Sequence, residues 1–174
     1  VFTRLGRGQR LFDNVFGVFY HRCPFEPRDN FVDEMVESMA PSFLHYLHEA
    51  EAHYGRFDLV HCHDWLPLPA GLRLKGEGAT PLAVTFHTTE WGRSGEWPKT
   101  GDARRISRLE HAAVEAADTL IVVNQRVRYQ VETLYHSPDW KTALIYHGID
   151  LDPFDRAPSD PGTVKQSLDI EPLA

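Results

Sequence analysis

Four short apolar runs, "FDLVHCH", "PLAVTFH", "TLIVVN" and "KTALIYHG", alternate with stretches of helical spacing between Phe57 and Gly148. Runs this continuous suit a parallel sheet buried on both faces better than a half-wet antiparallel one. Parallel neighbours need a crossover of a dozen residues or so, commonly a helix. The intervening stretches supply it, with helices expected within Pro69–Lys75 and over Asp102–Ala117 and Val127–Tyr135. The chain therefore reads as an α/β, doubly wound (Rossmann-like) domain with a mostly parallel sheet and right-handed crossovers.

Upstream, "VFTR" and "VFGVFYHRC" read as strands rich in β-branched and aromatic residues. A helix is expected from Asn30, its cap, to Tyr54, ended by Gly55, with Phe31, Met35, Met39, Phe43 and Leu47 as its apolar stripe. Pro41 falls inside and should kink it. "TTEWGRSGEWPKTG" reads as a polar loop. Prolines and aspartates gather after Gly148, so residues 1–150 read as one domain and 151–174 as a linker and the start of another. The opening at Val1 in mid-strand and the closing "DPGTVKQSLDIEPLA" suggest a piece of a longer protein.

Composition removes several function classes. A net charge of −7 without a Lys/Arg cluster leaves no basic footprint, so no nucleic-acid partner is expected. No run of about 18 apolar residues is present, so no membrane span is expected. Cys23 and Cys62 are the two cysteines, and without a visible secretory leader they fit a reducing compartment, hence a cytoplasmic protein. "RLGRGQR" lacks the spacing of a dinucleotide-binding glycine loop, and Gly6 and Gly8 read as an exposed turn.

Ligands of open parallel sheets bind beyond the carboxyl ends of the strands. Those ends carry His63-Asp64-Trp65, His87-Thr88-Thr89-Glu90, Asn124 and His147-Gly148-Ile149-Asp150. Carboxylates, imidazoles and indole faces suit a polyhydroxylated ligand, and Asp64, Trp65, His87, Glu90, Trp91 and Arg93 supply that set. One other chemistry fits some of these residues. His61 and His63 share a strand face and could ligate a metal ion, as in a metal-dependent hydrolase. Against that, His61 reads as a buried histidine one step of the pleat below the site. Glu90 and Arg93 can form a loop ion pair, and Glu110 can be a structural or solvated helix residue.

"FDLVHCHDW", "PLAVTFHTTEWGRSG", "LEHAAVEAADTLIVVN" and "YHGIDLDPF" stand in the order seen in the N-terminal domain of family 4 glycosyltransferases, which the chain resembles from Phe57 to Phe154. "YHRCPFEPRDNFVDEM" is similar to the corresponding region of glycogen-synthase-like members. The resemblance implies the N-terminal half of a GT-B fold, truncated, lacking its first strand and glycine-rich loop as well as the C-terminal domain. It also implies sugar transfer with retention from a nucleotide-sugar donor, such as an ADP- or UDP-sugar, to a carbohydrate or other hydroxyl acceptor, without cofactor or metal. The family's His-Asp-Trp element falls on His63, Asp64 and Trp65, its Thr-x-His on Thr85 and His87, and its Gly-Ile-Asp on Gly148, Ile149 and Asp150. His87 and Asp64 are thus the candidate catalytic residues, and His63, Trp65, Thr88, Glu90 and Arg93 the candidate substrate-binding set. The piece alone is expected to be close to inactive. A non-catalytic carbohydrate-binding or interaction module of the same fold, and a sugar-nucleotide epimerase, are the rival readings.

Overall fold

The computed structural model describes residues 1–78, 80–95, 100–155 and 162. Its central sheet is parallel throughout: β4 (Val60–His63), β5 (Leu82–Phe86), β6 (Thr119–Val122) and β7 (Thr142–Leu144) lie side by side in chain order. In this register Cys62 sits beside Val84 and Val84 beside Leu120. These three, with Phe86 and Val122 further along the same face, are at most 3% exposed. Alternation of side chains sends His61, His63, Thr85, Ile121 and Ala143 to the opposite face.

Three connecting helices cover the apolar face. They are α3 (Leu68–Glu77), α5 (Gly101–Ala116) and α6 (Gln125–Leu134). Right-handed crossovers between strands that are neighbours in both chain and space place all three on one side. The fit is tight at Gly71, where a Cβ would stand 2.6 Å from Cys62 Sγ and 3.5 Å from Leu82 Cδ1. Thr100 caps α5 by accepting from the Ala103 amide, and Asn124 caps α6 by accepting from that of Val127. At the other end of α5, buried Lys141 donates from Nζ to the Val114 and Glu115 carbonyls. The opposite face, expected to be covered as well, is open among the described residues at His61, His63, Ala143 and Ile145.

A second sheet, in the order β1-β3-β2, precedes this unit: β1 (Phe2–Arg4), β2 (Phe12–Val15) and β3 (Val18–Cys23). The single strand expected over Val15–Cys23 is half of a hairpin instead. Phe16 and Gly17 both take positive φ, 52° and 82°, which turns the chain through a two-residue connection. Gly8, also at positive φ, lies in an exposed turn, as expected.

The long helix starts at its expected cap, where Asn30 Oδ1 accepts from the Asp33 amide, and stops at Gly55 with φ 92°. It is not uniform. α1 (Phe31–Asp33) passes into a π-helical stretch, Glu34–Met39, before α2 (Ala40–Tyr54). The Ala40 amide reaches back five residues to the Met35 carbonyl, and the widened turn accommodates Pro41, which has no N–H to donate. After Phe86 the expected polar loop contains α4 (Glu90–Ser94), with residues 96–99 outside the described set. The expected linker contributes α7 (Asp152–Asp155), and residues 156–161 and 163–174 lie outside the described residues. Among the described residues no helix is long and apolar enough to cross a membrane.

Candidate functional site

β4 and β5 run parallel with His63 opposite Thr85, so the residue after β5, His87, projects beside His63. Their rings meet edge to edge, His63 Nδ1 standing 3.0 Å from His87 Nε2. The chain leaving β7 returns to the same place and sets His147 Nε2 3.1 Å from His87 Nδ1. The His87 and His147 rings are nearly parallel, 9° apart with centroids at 5.1 Å. His61 extends the row along β4, its ring centroid 4.4 Å from that of His63, while its Nε2 bonds the buried Thr85 hydroxyl at 2.7 Å. Four imidazoles from three segments thus line the carboxyl edge of the sheet on its open face. Burial pulls the His63 imidazole below its ordinary value, repulsion from His87 adds to this, and Asp64 opposes it. His61 is lowered first by partial desolvation of its ring against its neighbours and then by repulsion from His63 and His87.

Asp64 builds the turn that carries this edge. Its backbone adopts positive φ, 54°, and its amide donates to the Thr85 carbonyl at 2.8 Å. From that position Oδ1 accepts from the His87 amide at 2.8 Å and the Thr88 amide at 3.4 Å. A carboxylate accepting backbone N–H groups makes charge-assisted bonds stronger than neutral ones. His87 is therefore held through its backbone by Asp64 and through both ring nitrogens by two other histidines.

Beside it, α4 is anchored from below. Thr89 Oγ1 accepts from the Gly92 amide, capping the helix, and donates to Gln130 Oε1 of α6 at 2.8 Å. The Glu90 amide donates to both oxygens of Glu110, at 2.9 and 2.8 Å. Arg93 ties the Glu90 carboxylate (2.9 Å) to Glu110 (2.8 Å), and the Tyr135 hydroxyl donates to Glu110 at 2.6 Å. Burial raises the Glu110 carboxyl above its ordinary value, against the opposing pull of Tyr135, the Glu90 amide and Arg93. Gly92 leaves no room for a side chain, since a Cβ there would meet Gln130 Oε1 at 2.9 Å.

Residues 1–153 match the family model described as Glycosyltransferase Family 4. The chain belongs to that family. It is 32% identical over 122 residues to a D-inositol 3-phosphate glycosyltransferase of Thermobispora bispora, covering 67% of this chain and 28% of that protein. Similarity to the glycogen synthase of Mycobacterium tuberculosis is 30% over 95 residues, covering 55% and 23%. A solved sucrose-phosphate synthase from Thermosynechococcus elongatus superposes with a TM-score of 0.70 at 20% identity, covering 98% of this chain and 42% of that one. The fold is thus the Rossmann-like α/β unit of a GT-B glycosyltransferase. The chain spans less than half the length of the curated relatives it matches.

In this family 4 glycosyltransferase chain the expected site residues fall into two groups. His63, Asp64, His87 and Thr88 stand together at the edge of the sheet. Trp65, 7% exposed, packs edge-on against Phe31 at 5.8 Å. Glu90, 8% exposed, bonds Arg93 and Ser94, so its carboxylate is engaged within α4. The Glu90–Arg93 pair forms as expected, and Glu110 extends it into a buried network. His61 departs from expectation. It is exposed rather than buried, and its ring bonds the Thr85 hydroxyl. Among the described residues no group of three or more His, Cys, Asp or Glu is arranged to hold a metal ion. His147 stands at a strand end in the sequence, but only the path of residues 145–147 reveals the ring it meets.

Proposed function

We propose that this chain acts as part of a longer, retaining, glycogen-synthase-like hexosyltransferase that moves a sugar from a nucleotide-sugar donor to a glycan or other hydroxyl acceptor. The observation that carries this reading is the row of imidazoles on the Asp64 turn, at the sheet edge where open α/β folds bind ligands, in a chain of family 4. The rings at the ends of the row turn their outer nitrogens, His63 Nε2 and His147 Nδ1, away from His87, and a neutral imidazole nitrogen can donate to or accept from a sugar hydroxyl, which does both. In the proposed roles His87 stands at the donor sugar, and His63 and Thr88 meet hydroxyls beside it. Asp64 fixes the backbone of His87 and Thr88. Trp65, Glu90 and Arg93 shape the wall.

In the reaction the bond from the sugar's anomeric carbon to the donor phosphate oxygen breaks, and its electron pair leaves with the nucleoside diphosphate. The acceptor oxygen forms the new bond on the same face, and its proton passes to the departing phosphate. Stabilising the developing phosphate charge is the main catalytic demand. A second domain of the same polypeptide would meet that demand, in keeping with the share of the relatives' length that this chain spans. Nothing in the reaction calls for a cofactor or a metal ion, and the site is proposed to work in the cytoplasm.

The test is a panel of nucleotide sugars and hydroxyl acceptors offered to the longest natural polypeptide that contains this sequence. Products are read by mass and by anomeric configuration in proton NMR. A glycoside with the donor's configuration is the expected product. Inversion would overturn the retaining assignment. Failure to consume any donor would favour a binding module of the same fold.

A further inference from the structure

From the two ring-to-ring contacts of His87 we infer that His63, His87 and His147 form one tautomer-coupled unit, in which His147 is a positioning residue acting through His87. Each gap, 3.0 Å to His63 and 3.1 Å to His147, is a hydrogen-bond distance, so each must hold one proton. A neutral imidazole carries one N–H. Only two proton orders then satisfy both gaps. In the first, His147 Nε2–H donates to His87 Nδ1 and His87 Nε2–H donates to His63 Nδ1. In the second, His63 Nδ1–H donates to His87 Nε2 and His87 Nδ1–H donates to His147 Nε2. Any other arrangement of neutral rings puts two protons or two lone pairs face to face.

The outer nitrogens, His63 Nε2 and His147 Nδ1, consequently take opposite roles. When one carries a proton, the other is a bare acceptor. Changing from the first order to the second takes a proton in at His147 Nδ1 and releases one at His63 Nε2. In each gap one N–H bond breaks and one forms, and the charge of the row is unchanged. A ligand presenting a hydroxyl to one end thereby sets what the other end offers. Its use on a sugar rests on the function proposed above, while the coupling itself does not.

His147 is exposed and Asp64 holds His87 independently, so the unit can be probed without disturbing the fold. The experiment is long-range proton–nitrogen NMR on the 15N-labelled 174-residue chain above the titration range of its histidines. In the wild type we expect coupling across both N···N gaps and correlated tautomers in the three rings. In His147→Ala the ring nitrogens of His87 should move toward averaged shifts. The His87 and Thr88 amides, bonded to Asp64, should stay in place. His147→Gln, whose amide offers a donor and an acceptor at similar reach, should restore the His87 shifts. Absence of both couplings in the wild type, unchanged His87 nitrogens in His147→Ala, or failure of His147→Gln to restore them would each overturn the inference. None of these outcomes depends on sugar transfer, so they stand apart from the success or failure of the donor panel.

Discussion

Replacing Glu110 by alanine removes the acceptor that holds α4 beneath the candidate site. Glu110 is fully buried and receives the Glu90 amide, Arg93 and the Tyr135 hydroxyl. Their losses are unequal. Tyr135 keeps Ser107 at 3.3 Å, and Arg93, with its side chain 32% exposed, keeps Glu90 at 2.9 Å. The Glu90 amide, in a residue 8% exposed, loses its carboxylate. An unsatisfied buried donor costs roughly 1–3 kcal/mol. Removing one member of a buried ion pair costs about 3–5 kcal/mol, and the exposure of Arg93 puts this case at the lower end. The expected destabilisation is therefore about 3 kcal/mol, against a total stability of about 5–15 kcal/mol for a domain. Glu110→Gln keeps the volume and one acceptor oxygen, and its amide can donate to the Tyr135 oxygen, so it should cost only about 1 kcal/mol. Urea unfolding followed by both far-UV circular dichroism and tryptophan fluorescence measures the difference. A Glu110→Ala chain within about 0.5 kcal/mol of wild type, or a Gln variant as damaged as the Ala one, would refute the reasoning.

Three further outcomes follow from the same structure. Gly71→Ala places a methyl 2.6 Å from Cys62 Sγ and should cost about 1–3 kcal/mol in urea unfolding, with part of the loss recovered in the Gly71→Ala/Cys62→Ala pair. Burial pushes the Cys62 and Cys23 thiols up to about 12, so alkylation at neutral pH should be slow in the native chain and fast in urea. His61 and His63 are both held below the ordinary histidine value of 6.5, so the unfolded chain takes up protons first as the pH falls. Stability should therefore be lost as the pH drops through 6.5 and level off below the folded values. Solvent screening keeps each contribution under ~1 kcal/mol, and the slope should flatten in His61→Ala/His63→Ala.

The crossover region was legible because burying a strand between neighbours demands continuous apolar residues and because each helix there is long enough to show its period. α5 and α6 accordingly fall within two residues of their expected limits. α4, at five residues, is too short for periodicity to register. It exists because Thr89 caps it and Glu110, twenty positions away, accepts its first amide. The hairpin at Phe16 and Gly17 hid inside an unbroken β-prone run, since a phenylalanine at positive φ is a poor turn signal. At the site, period two places His61 and His63 on one face, and the strand ends bring His87 near. The exposure of His61 was not legible, because it depends on which sheet face the helices leave open. Nor was the contact of His147 with His87, because residues 145–147 lie beyond the last strand, where no periodicity constrains the path.

The most direct measurement of the central claim is turnover by the longest natural polypeptide containing this chain, compared with its His87→Ala variant, each with a thermal melting curve. With His87 at the donor sugar, kcat should fall by about 100-fold or more while the melting temperature stays close to wild type. Equal turnover in the two proteins, with matching melting curves, would contradict the assignment of this sheet edge as the sugar-transfer site.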